Sequence, residues 1–379
     1  MESLLEKEDL TIVLGEVRRF ARGVVAANVE RPEHALPRPS LDLLVAEATE
    51  AGFIPEAGEE PTGLWVDLDD PLGPTLSART LETLASVNPG IAWTCHMRAM
   101  PVWLAQRLDA PEVLEGQETA VTLQGYYGLG RAALPRYLAG SELGHDDRAM
   151  LNDWLLPAQH DARRVVHAPA GFEAVLSPYF DGEAVRWVRQ PIDALDPLPI
   201  GPTLGLDEVD AIALASNDAG TPLGPDDPEE ARKVFAEALL IQSLALVAVG
   251  LGCLRHASEL AREQAKTRIQ GGRSIEHHPA VQSLLGSART AVVVVDALLG
   301  GMAEGPLRAN RIGDVFAARA EAHPLLCRGA TDALQVFGGS GYMQDVGMEK
   351  ALRDSQQLRL MGGTPGELER FVAEWERVR

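Results

Sequence analysis

No proline interrupts the chain between Glu229 and Thr267, and from Leu239 to Leu254 apolar residues run almost without a break. A helix lying on a protein surface needs only one apolar stripe, so a helix that is apolar around most of its circumference has to be covered on several sides. The chain must therefore supply other helices to surround this one. Three apolar-periodic segments follow it, Ala280 to Leu299, Ile312 to Gln335 and Pro365 to Val378, which predicts a carboxy-terminal helical bundle over 228–379. Such a bundle also predicts an oligomer interface built from helices.

The amino-terminal part reads as helices too. Leu14, Val17, Phe20, Ala21 and Val24 recur at helical spacing, and a second helix starts at Leu41 behind Pro39 and Ser40. Ala78 to Val87 and Ile91 to Leu108 fit two more. From about Glu118 to Ala215 short apolar runs broken by proline and glycine replace this pattern, with Arg164 to Ala168, Glu173 to Leu176 and Ala184 to Val188 reading as strands. A chain of 379 residues, 46% apolar, is long enough for several substructures. The expectation is a mainly helical α+β protein: a helical domain over 1–117, a β domain over 118–227 and the bundle over 228–379.

A net charge of −21 disfavours nucleic acid and anionic membrane surfaces as partners, and any polyanionic ligand would need local positive groups. The first nine residues lack the basic start and apolar core of a signal peptide, and no uncharged run reaches transmembrane length, so a cytoplasmic protein is expected. Cys95, Cys253 and Cys327 are far apart and odd in number, which suits reduced core thiols. His277-His278 and His145-Asp146-Asp147 have no partner at metal-site spacing, so no metal is expected. No nucleophile elbow, P-loop or dinucleotide fingerprint follows a convincing strand.

Near the carboxy terminus, Gln335-Val336-Phe337-Gly338-Gly339-Ser340-Gly341-Tyr342 precedes Arg353-Asp354, and Gly362-Gly363-Thr364 comes eight residues after Asp354. Upstream, Arg268-Ile269-Gln270-Gly271-Gly272 precedes a helix start at Pro279. In this order these elements resemble the signature of the acyl-CoA dehydrogenase family, which binds FAD and removes hydrogens from the α and β carbons of acyl thioesters. The resemblance covers most of the chain and is weakest in the middle. It implies a middle domain of β-barrel type, a four-helix bundle, and a homodimer or homotetramer. It also implies FAD contacts at Arg268, Gln335, Gly338, Gly339 and Thr364, the first four serving the FAD of a neighbouring subunit. An arginine suits phosphate because its guanidinium is a rigid fork, and glycines allow close backbone approach. The implied substrate is an acyl thioester of CoA or of a carrier protein, with a flavoprotein as a candidate electron acceptor.

The chain departs from the family at the base. Gly362 stands where most members carry a catalytic glutamate, and the alternative position on the long helix falls at Gln242; neither can abstract a proton. Glu237 and Glu367 are the nearest carboxylates in sequence, and for both a solvent-facing or helix-start role is the simpler reading. In the middle, Thr122 survives from the family's Thr-Glu-Pro loop, and Trp154 is the candidate for an indole covering the flavin where members have Trp-Ile-Thr. Core packing explains Trp154 equally well. Three functions remain open: dehydrogenation with an unassigned base, a different flavin chemistry on the same fold such as oxidation by oxygen or elimination, and a non-catalytic subunit of a heteromeric enzyme.

Overall fold

A computed structural model describes residues 7–29, 34–58, 61–115, 118–123, 132–155, 164–168, 171–201, 203–214 and 222–379. The amino-terminal helices are α1 (Lys7–Phe20), which runs through a π-helical stretch at Ala21–Val25 into the single turn α2 (Ala26–Asn28), then α3 (Arg38–Glu50), α4 (Gly73–Ala85) and α5 (Pro89–Arg107). Asn88 starts α5 as a cap, its side chain accepting from the Ile91 amide at 3.0 Å.

The middle of the chain mixes strands with helices. Strand β1 (Thr119–Val121) runs parallel to β3 (Ala174–Phe180), which pairs antiparallel with β4 (Val185–Pro191); β2 (Arg164–Ala168) pairs antiparallel with β6 (Asp210–Leu214), which also takes β5 (Leu198–Pro199). Two short helices, α6 (Ala133–Leu138) and α7 (His145–Leu155), lie between β1 and β2. The strand pattern did not reveal them, because α7 is mostly polar and buries only Asp147, Leu151, Trp154 and Leu155.

The bundle consists of α8 (Pro228–Thr267), α9 (Pro279–Ala303), α10 (Ile312–Phe337), α11 (Met348–Leu360) and α12 (Pro365–Val378). Helix α8 begins and ends where its sequence predicts, with Asp227 capping the Glu229 amide at 3.2 Å. Its apolar centre is covered on every side: Leu240, Ile241, Leu244, Leu246, Val247 and Leu251 have no exposed surface. By length and composition α8 and α9 could each cross a membrane, yet the apolar window of α8 is wholly buried in the protein, whereas that of α9 is 28% buried. Val293 and Val294 on α9 remain 51% and 38% exposed.

A buried polar network joins the three parts of the chain. Lys350 on α11 reaches Asp354 at 3.0 Å and Glu208 at 3.3 Å, and Glu208 accepts from Asn88 at 2.8 Å. Asp354 also accepts from the Leu206 amide at 2.7 Å. Burial opposes the charge on Lys350, but the carboxylates of Asp354 and Glu208 outweigh it and raise its pKa. The neighbouring Arg353 pairs with Glu349 and with both oxygens of Asp207. The Arg353-Asp354 dipeptide thus fastens the loop before β6 to the bundle.

Candidate functional site

The two base positions meet in space. Gly362 lies in the turn between α11 and α12 with φ of 63°, and a Cβ built there would stand 3.4 Å from Cδ of Gln242 on α8 and 3.3 Å from the guanidinium of Arg319 on α10. Gln242 also lines a small cavity of about 20 Å³ with Trp93 and Met97 of α5, the β1 end at Val121, Thr122 and Leu123, the β2 residues Val165, Val166 and His167, and Met361. That volume is room for about one water. Two polar atoms of this lining, Oγ1 of Thr122 and Nδ1 of His167, are buried without a hydrogen-bond partner. The other His167 nitrogen, Nε2, is 3.2 Å from Nε2 of Gln357 on α11. Burial lowers the His167 pKa to about 4, so the ring is neutral at physiological pH.

Trp93 forms one wall and is itself held from behind. Its indole donates to the carbonyl of His167 at 3.2 Å and packs on His96 with ring centres 4.7 Å apart, while His96 accepts through Nδ1 from the indole of Trp65 at 3.0 Å. Trp65 adopts a left-handed φ of 68°, held there with its side chain fully buried and its amide bonded to Ser77.

Arg319 organises the turn opposite. Its guanidinium, 1% exposed as a residue, donates to the carbonyls of Gly362 at 2.9 Å and Gly363 at 3.1 Å, and also to that of Met361. Burial lowers its pKa to about 9, which still leaves it charged at pH 7. A cation therefore sits behind the turn at which the family resemblance implies a carboxylate. One helical turn on, His323 is fully buried with neither ring nitrogen hydrogen-bonded.

Neither carboxylate singled out from the sequence reaches the cavity. Glu237 is bound by Arg107 at 2.5 Å, and burial raises its pKa although Arg107 opposes the shift. Glu367 completes a capping box at the start of α12, accepting from the amide and the hydroxyl of Thr364 at 2.7 and 2.9 Å. Among the described residues no carboxylate lines the cavity. Thr364 is the cap of α12, next to the turn but outside the cavity lining.

Trp154 stands apart from the cavity. It lies on α7 and packs edge to face on Phe235 at 6.2 Å, with Trp187 of β4 on the same phenyl ring at 6.3 Å. Three aromatic rings there join α7, β4 and α8, and the indole nitrogen of Trp154 is buried without a hydrogen-bond partner among the described residues. The residues that follow Thr122 and Trp154 in sequence, 124–131 and 156–163, lie outside the described residues.

Arg268, Gln335, Gly338 and Gly339 form a second, exposed locus. Arg268 donates to the carbonyl of Phe337 at 2.8 Å and stands 3.9 Å from the Cβ position of Gly338, so the two glycine-containing elements are stitched together. Gln335 bonds the hydroxyl of Tyr342. Gly271 and Gly272, with φ of 62° and 81°, form the two-residue turn of a hairpin between β7 (Ile269–Gln270) and β8 (Arg273–Ser274). Such a turn needs positive φ at both central positions, which explains the pair of glycines.

Larger clefts lie elsewhere. One of about 990 Å³ includes Arg38 and Arg98, paired with Asp42 and Glu118, and one of about 820 Å³ includes Arg353, paired with Asp207; neither contains a site residue inferred from the sequence. Among the described residues no group of three potential metal ligands occurs.

Residues 232–375 match the family model "Acyl-CoA dehydrogenase, C-terminal domain". A cyclohex-1-ene-1-carbonyl-CoA dehydrogenase of Geobacter metallireducens is 33% identical over 121 residues, 31% of each chain. An acyl-CoA dehydrogenase of Bacillus subtilis is 30% identical over 135 residues, 35% of each. The chain thus matches about a third of the length of these relatives. In three dimensions the similarity extends end to end: the butyryl-CoA dehydrogenase of Megasphaera elsdenii superposes with a TM-score of 0.68, covering 100% of both chains at 15% identity.

Proposed function

We propose that this chain, a member of the acyl-CoA dehydrogenase family, is an FAD-dependent oxidoreductase that removes hydrogens from the α and β carbons of an acyl thioester of CoA or a carrier protein. The observation that carries this reading is the match of residues 232–375 to the family's carboxy-terminal domain, in which Arg268 is joined to the Gln335 to Gly339 segment through the Phe337 carbonyl. When bound, FAD would accept hydride.

The chain's own residues then have distinct tasks. Trp93, Met97 and Met361 give the cavity apolar walls that exclude water. Arg319, charged behind the Met361 to Gly363 turn, favours negative charge developing nearby. Arg268, with Gln335, Gly338 and Gly339, is suited to hold the phosphate and adenosine end of FAD in a second copy. The exposed apolar side of α9 supports a homodimer or homotetramer, and three buried free cysteines accord with the reducing cytoplasm.

The lack of a carboxylate among the described lining residues favours one further reading, a flavin reaction that does not need a strong α-base, performed by this chain or with a base-bearing partner chain. Purified protein reconstituted with FAD tests the main reading. About one FAD per chain, bound about tenfold more weakly by Arg268→Ala, is the expected result for loss of a charge-assisted contact. A wild-type chain that takes up no FAD would refute it.

A further inference from the structure

Beside Arg268 and Gln335 stands an exposed aromatic ring. Tyr342 closes the 3₁₀ segment Gly338–Tyr342 that follows α10, and it is 57% exposed although its hydroxyl is bonded by the amide nitrogen of Gln335. Exposed side chains ordinarily hop between rotamers, whereas this hydrogen bond holds the ring in one place at the surface. The backbone beneath it is equally constrained. Ser340 donates through its hydroxyl to the Phe337 carbonyl at 2.8 Å, and a Cβ at Gly341 would stand 2.6 Å from the Leu334 carbonyl oxygen, so only glycine lets the segment close on the end of α10. Arg268 donates to the same Phe337 carbonyl, and no described carboxylate pairs with it. Ring and guanidinium are thus anchored two residues apart on the last turn of α10, at Gln335 and Phe337.

We infer that Tyr342 is the surface on which the adenine of a second copy's FAD stacks, and that it thereby selects FAD over FMN. The inference rests on the function proposed above and adds the residue that recognises the base. A fixed aromatic ring facing solvent offers a π-face of the kind on which purines stack. In an adenosine diphosphate group the base and the phosphates are joined through one ribose, so a stacking ring and a phosphate-binding guanidinium have to stand side by side, as they do at the end of α10. In a chain of net charge −21, a guanidinium without a carboxylate partner is also the local positive charge that a polyanionic ligand needs. Gln335 holds the ring with its amide nitrogen and keeps its carbonyl oxygen for the amino group of the base.

The test is equilibrium binding of FAD, and of FMN, which has the flavin and a phosphate but no adenine, to the full-length wild type, Tyr342→Leu and Tyr342→Phe. Each protein is checked by its thermal transition and its sedimentation coefficient. Tyr342→Leu should bind FAD about tenfold more weakly than the wild type and FMN equally well, and Tyr342→Phe, which keeps the ring, should retain most of the FAD affinity. An FAD affinity unchanged within about twofold in Tyr342→Leu would overturn the inference. So would an equal loss for FMN, or a loss that comes with a shifted thermal transition or sedimentation coefficient, since Tyr342 would then support the fold or the contact between copies. These results leave the proposed function standing. A wild-type chain that takes up no FAD would sink both.

Discussion

At the scale of single residues, the site is defined by what Gly362 and its neighbours do in place of a carboxylate. With φ of 63° and Arg319 3.3 Å from its Cβ position, Gly362 sits where any side chain strains the backbone. Gly362→Glu should therefore lower stability by about 1–2 kcal/mol, read from denaturant unfolding, despite introducing the residue type that the family resemblance implies. The carboxylate at Glu367 is a cap: Glu367→Ala should cost about 1 kcal/mol of stability and leave flavin reduction intact, whereas loss of reduction without loss of stability would make it catalytic. Buried histidines set the pH response. Burial lowers His96 to about 3 and His167 to about 4, and holds His323 well below its ordinary value with help from Arg319 and Arg359. Below about pH 6.5 the unfolded chain binds protons that these folded rings refuse, so stability is full above that pH and falls as pH drops towards about 4. Urea midpoints against pH check this, and His323→Leu should flatten the slope.

At the scale of elements, the network of Asn88, Glu208, Lys350 and Asp354 holds a loop of the middle part between two helices. Lys350→Met leaves two buried carboxylates facing each other and should cost about 3–5 kcal/mol, while surface pairs such as Lys233 with Glu230 should be near neutral. If the exposed apolar side of α9 forms the proposed homo-oligomer interface, Val293→Glu should shift the species towards monomer in analytical ultracentrifugation. The long helices were legible in the sequence because periodicity and prolines mark them: α8 and α12 have the predicted bounds. The meeting of Gln242 with Gly362 was not, since it joins residues far apart in the chain. His167 was readable only as part of a strand. Its alternation with Val165 was the available signal, but no local rule says which face of β2 borders a cavity. Trp154 shows the converse, a residue whose spacing suggests a cofactor wall and whose helix turns it into the core.

For the whole molecule, three segments distant in sequence come together: α5 supplies an aromatic wall, β1 and β2 the unpartnered polar atoms, and the bundle a buried cation behind a glycine turn. The exposed Arg268 and Gln335 locus shares no residue with the cavity lining, and its proposed role is toward the FAD of a second copy. The proposed chemistry is flavin reduction by a thioester in a chain that has no carboxylate beside Gly362 and Gln242 among the described cavity-lining residues. The direct measurement is an anaerobic absorbance titration of the FAD-loaded protein, and of the Glu237→Gln, Glu367→Gln double variant, with a panel of acyl-CoA thioesters. A thioester is expected to bleach the bound flavin in both proteins to the same extent. A flavin that stays oxidised with every thioester, or one that is reduced in the wild type and not in the double variant, would contradict it.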